Sequence, residues 1–151
     1  MIKRAIVLTD TTESIENNIA THFHNLRTLG VLEVRALLRR NGWSVESLEF
    51  ATVWQDMPNT KFFSIIDMIF KNADESILAI SSSIIHNLSY SLEPTLKYVR
   101  EYYPKTKIIL GGKRCVEKRE EEFFLKYFDS HINFRAAFSA FASWIHFIFN
   151  T

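Results

Sequence analysis

Three short, uninterrupted apolar runs constrain this chain more than any other feature: Ala5-Ile6-Val7-Leu8, Ile77-Leu78-Ala79-Ile80 and Ile108-Ile109-Leu110. A run of this length with no polar alternation is the pattern of a β-strand buried on both faces, which belongs to parallel sheets covered by helices. Segments of helical period lie between the runs. In Thr28 to Arg40, residues Gly30, Val31, Val34, Leu37 and Leu38 share one arc, and Glu33, Arg35, Arg39 and Arg40 lie opposite, before an Asn41-Gly42 stop. From Asn59 to Asn72 the inward stripe is Phe62, Ile65, Ile66 and Ile69, facing away from Ser64, Asp67 and Lys71. From about Ser91 to Tyr103 the stripe is Leu92, Thr95, Leu96, Val99 and Tyr103, with Pro94 in the first turn. Val116 to Phe128 and Arg135 to Asn150 predict two more helices.

Two weaker strands complete the alternation. Val45, Leu48 and Phe50 are interleaved with Ser44, Glu46, Ser47 and Glu49, and His131 to Phe134 is short. Mixed strands suit sheet edges and solid ones the centre. The expected fold is therefore α/β: a flavodoxin-like (Rossmann-like), doubly wound, five-stranded parallel sheet of order 2-1-3-4-5 with helices on both faces. A length of 151 residues suits a single domain over 1–151. Gly and Pro number only 4 and 3, too few for an internal flexible linker.

Charge and cysteine content exclude several functions. The 18 basic and 17 acidic residues leave a net charge of +1, which argues against a nucleic-acid-binding or polybasic membrane module. A single cysteine, Cys115, supplies neither a disulfide framework nor a thiolate metal centre. Met1-Ile2-Lys3-Arg4 runs directly into the first strand without a secretory signal, so a cytoplasmic location is expected.

In the expected strand order, ligands bind at the carboxyl ends of strands one and three. Three loops converge there: Thr9-Asp10-Thr11-Thr12-Glu13-Ser14 continuing to His22, His24 and Asn25; Ser81-Ser82-Ser83 continuing to Asn87; and Gly111-Gly112-Lys113-Arg114-Cys115. Serine hydroxyls and glycine amides at strand ends are suited to a phosphate or cofactor tail. Equally, the serines suit a helix cap and the glycines a turn. A flavodoxin-type phosphate loop is disfavoured by the missing glycine and by Asp10 and Glu13, which repel phosphate. A phospho-receiver would need an acidic cluster after strand one and a lysine after strand five; Asp10 has no acidic neighbour and strand five leads to Arg135-Ala136. No glycine precedes Gly30, so the dinucleotide fingerprint is absent, as is a nucleophile elbow.

The stretch Asn25 to Phe50, with Leu29-Gly30-Val31, a helix and Arg40-Asn41-Gly42-Trp43-Ser44-Val45, resembles the opening of the cobalamin-binding domain of radical S-adenosylmethionine enzymes. Ile77 to Ser83 and Tyr98 to Gly112 resemble that family's third strand, third helix and Gly-Gly turn, so the likeness follows nearly the whole chain in order. The resemblance implies a domain that holds and orients a corrinoid against a second, catalytic barrel and performs no catalysis by itself. It implies that Ser81, Ser82, Ser83, Gly111 and Gly112 contact the nucleotide tail and that Asp10, Thr11 and Thr12 face the corrin. This sequence departs from the family in lacking the Asp-x-His-x-x-Gly motif of histidine-ligated cobalamin and in placing Lys113 after the glycines. It also lacks Cys-x-x-x-Cys-x-x-Cys, so an iron–sulfur cluster and S-adenosylmethionine would belong to a separate or missing domain.

The C-terminus offers an alternative. No charged residue follows Arg135; Phe138, Phe141, Trp144, Ile145, Ile148 and Phe149 share one arc, and Ala136, Ser139, Ala140, Ser143, His146 and Phe147 the other. The stretch falls short of the roughly 20 apolar residues of a membrane span. A helix without a charged face is expected to be covered on both sides, by the sheet and by another domain or protomer. On this alternative the chain is a degenerate, cofactor-free relative that serves as a docking or assembly module.

Overall fold

The computed structural model describes residues 1–9, 29–49, 59–81, 88–112 and 126–133. In chain order they form β1 (Lys3–Thr9), α1 (Leu29–Arg40), β2 (Ser44–Glu49), α2 (Asn59–Phe70), β3 (Glu75–Ser81), α3 (Leu88–Tyr102), β4 (Lys107–Gly112) and β5 (Ser130–Asn133). Hydrogen-bonded neighbours run β2-β1-β3-β4-β5, and every pair is parallel. The chain is thus α/β with an all-parallel sheet. The solidly apolar β1, β3 and β4 are flanked by the mixed β2 and β5.

Strand alternation divides the core into two layers. Ile6, Leu8, Leu78, Ile80, Ile108 and Leu110 point to one face and are buried under Phe62, Ile66 and Phe70 of α2, Leu96 and Val99 of α3, and Tyr127. Ala5, Val7, Ile77, Ala79 and Ile109 point to the other, with Val45 of β2, Trp43 and Leu38 of α1. Helices therefore pack on both faces, which is why the three central runs show no polar alternation.

Local signals behave as their chemistry requires, with one correction. Gly42 adopts φ +81°, a left-handed conformation, and ends α1 in a Schellman motif. Its N–H donates to Arg39 O at 3.1 Å and the Trp43 N–H to Leu38 O at 3.0 Å, while Trp43 and Leu38 pack in the same cluster. The correction concerns α3. It begins at Leu88, not Ser91, so Pro94 lies inside the helix rather than in its first turn. The missing N–H leaves the Tyr90 carbonyl without its i+4 partner. Downstream, full burial of Thr95, Leu96 and Val99 holds the helix on the sheet.

Candidate functional site

Because every strand points the same way, Thr9, Glu49, Ser81, Gly112 and Asn133 end at one edge of the sheet. In the last shared rung, Thr9 opposes Glu49, Ser81 opposes Gly111, and Gly111 opposes Ile132; Gly112 opposes Asn133 one residue further on. Leu8 opposes Ile80, which brings the ends of β1 and β3 side by side. Ser81 and Gly111 are direct partners on the central strands β3 and β4, while the segments that follow Ser81 and Gly112 lie outside the described residues.

The same register corrects the expected placement of these residues. Ser81 is the last residue of β3 rather than the first of a loop, and Gly111-Gly112 is not a turn. Both glycines lie within β4, held by β5 on one side and, for Gly111, by β3 on the other. Ladder pairing on both sides overrides the turn preference of a Gly-Gly pair. By strand alternation the rung beneath Ser81 and Gly111 is Ala79 and Ile109. Asp10, Thr11, Thr12, Ser82 and Ser83 lie outside the described residues, as do His22, His24 and Cys115. Among the described residues, no group of three or more His, Cys, Asp or Glu is placed to hold a metal ion.

A second polar cluster was not legible in the sequence. Asp67, expected on the outer face of α2, is half-buried between α2 and α3. Tyr98 donates its hydroxyl to both carboxylate oxygens, at 2.8 and 2.9 Å, and Tyr103 donates to Oδ1 at 2.7 Å. The Tyr98 ring stacks on Phe63 with centroids 4.1 Å apart and leans on Tyr102 at 4.6 Å, while Tyr103 meets Phe70 edge to face. Desolvation, followed by the bond to Asp67 and its negative charge, pushes Tyr98 up to about 12, and the same causes raise Tyr103. The arrangement is a brace between helices: both phenols are donors, and neither is poised to ionise near neutrality. An unfolded tyrosine ionises near 10. The stabilisation is therefore complete below that pH and declines as the pH rises toward 12, where the unfolded chain releases protons that the folded one retains. Urea midpoints measured across this range are expected to fall. The fall should be shallower in Asp67→Asn, and phenolate absorbance of that variant should rise at lower pH; identical curves would contradict the brace.

Elsewhere, the Tyr127 hydroxyl donates to Glu93 at 2.7 Å, and this bond, with Lys97 and Lys126 nearby, holds the Glu93 carboxyl below its usual range. No helix among the described residues is long and apolar enough to cross a membrane. No family model matches the chain, and no curated protein is significantly similar to it.

Proposed function

We propose that the chain is a flavodoxin-like, doubly wound domain that holds and orients a corrinoid at the carboxyl-end rim of its sheet. Catalysis would belong to the cofactor and to a separate radical S-adenosylmethionine domain. One observation supports the reading: Leu8 opposite Ile80 brings the carboxyl ends of β1 and β3 together, the switch point where a ligand is expected in an open α/β sheet, and Ser81 at that end pairs with Gly111 of β4. The sequence resemblance assigns these residues, with Gly112, to the nucleotide tail. The donor set fits a tail better than a metal. It offers a hydroxyl and bare backbone, with no side chain at Gly111 to obstruct approach, and no cobalt-ligating histidine motif follows β1. Asp10, Thr11, Thr12, Ser82 and Ser83 would complete the rim from the adjoining segments. Mixing the purified chain with hydroxocobalamin, desalting it and recording the visible spectrum tests this directly. A corrinoid spectrum co-eluting with protein is expected; colourless protein would exclude the cofactor.

The uncharged stretch from residue 136 to the C-terminus favours a second reading, a cofactor-free docking or assembly module whose last helix is covered by another domain or protomer. On that reading Ala140→Glu should provoke dissociation or aggregation. A soluble particle of unchanged size would count against it.

A further inference from the structure

The amino-end edge of the sheet, opposite the rim, is built from different chemistry. Lys3 and Arg4 open β1, Lys107 opens β4, Arg39 and Arg40 end α1, Lys71 follows α2, and Arg100 and Lys105 flank the end of α3. These eight cations outnumber the five carboxylates of Asp67, Asp74, Glu75, Glu101 and Asp129 near this edge, the first of them held by Tyr98 and Tyr103. The whole chain carries only +1, so the remainder is net negative. Part of the charge serves the fold: Lys3 pairs with Glu75 at 3.7 Å, Arg100 pairs with Asp129 at 2.9 Å, and Arg4 donates to Ser44. Arg40, Lys71 and Lys105 are exposed and make no ion pair with another described residue. Favourable interaction with a helix dipole accounts for Arg39 and Arg40 but fades beyond the last turn, before Lys105.

A second observation coincides with the first. Of the five large apolar side chains exposed among the described residues, four lie at this edge: Met1, Ile2, Met68 and Tyr102, the last two 77% and 58% exposed. They are linked through the backbone and the inter-helix brace. Asp74 N–H donates to Ile2 O at 2.8 Å, Met68 adjoins the carboxylate that Tyr98 and Tyr103 hold, and Tyr102 leans on Tyr98. Exposed Met, aromatic and Arg side chains are the composition of a protein-binding surface.

We propose that this edge docks a partner protein segment that presents carboxylates around apolar side chains. The exposed carboxylates of Asp74 and Glu101, set among the cations, would repel the closely spaced phosphates of a nucleic acid or an anionic bilayer, whereas a folded partner can place its own charges between them. The site lies at the opposite end of the strands from the rim and does not depend on a corrinoid.

The test is fluorescence anisotropy of a labelled peptide of alternating Glu and Leu titrated with the full chain, with heparin and phosphatidylserine vesicles in parallel. Binding of the peptide, weakened by added salt, is expected. Joint replacement Arg40→Glu, Lys71→Glu and Lys105→Glu should weaken it about tenfold or more. None of the three makes an ion pair with another described residue, and Arg40 adds only a small helix-dipole interaction, so circular dichroism should not change. Met68→Ser should weaken binding about threefold without altering the salt dependence, which keeps the proposal testable if the triple variant misfolds. Absence of peptide binding, variants that bind like the parent, or tighter capture by heparin or vesicles would overturn it.

Discussion

Phe62→Ala should cost about 4 kcal/mol, within the range of roughly 3–5 for a fully buried phenylalanine. The ring is 1% exposed and belongs to the cluster that seals α2 onto Ile6, Leu8, Leu78 and Ile80. Truncation removes the apolar burial of the ring and leaves a cavity that close-packed neighbours on the sheet cannot collapse to fill. A domain of this size has only about 5–15 kcal/mol of stability in total, so the variant should lie near the threshold of folding. Urea denaturation is expected to show a much lower midpoint with an unchanged slope. A midpoint within experimental error of the parent would mean that α2 does not pack as described.

Arg100→Met should cost about 2–3 kcal/mol for a different reason. The guanidinium donates from Nε and Nη2 to the Tyr127 carbonyl, from Nη1 to the Thr106 carbonyl at 2.9 Å, and from Nη2 to Asp129. Asp129 in turn accepts from the Ile108 N–H at 2.6 Å, so one side chain ties the end of α3 to the starts of β4 and β5. The ion pair contributes little of the cost: the Asp129 side chain is 39% exposed, and exposed pairs contribute about 0–1 kcal/mol. Most of it comes from the lost hydrogen bonds to the Tyr127 and Thr106 carbonyls. Arg100→Lys keeps the charge but not the fork, and should recover only a minor part of the loss. If lysine restored full stability, charge rather than geometry would be the cause.

Whatever buries a continuous apolar surface was legible in the sequence. The runs at Ala5, Ile77 and Ile108 had to be strands covered on both faces, and the stripes through Leu38, Phe62 with Ile66, and Leu96 with Val99 had to be the faces that cover them. The Asn41-Gly42 stop was legible because a left-handed helix end needs glycine chemistry at one defined position. What depended on a neighbour was not. Gly111-Gly112 reads locally as a turn and becomes strand only because β3 and β5 pair with it. Asp67 reads as a solvated residue, and only the docking of α3 brings Tyr98 and Tyr103 onto it. Likewise, Ser81 and Gly111 could be expected at one edge of the sheet, but the rung they share is a property of the ladder.

The most direct test of the rim compares the parent chain with Gly111→Val in hydroxocobalamin binding. Valine suits a strand backbone, so far-UV circular dichroism should be unchanged. By alternation its side chain shares the face of Ile109 and stands beside Ser81, where the tail is proposed to lie. The parent is expected to retain the corrinoid spectrum through desalting and the variant to lose it; equal colour in both, or a colourless parent, would contradict the account.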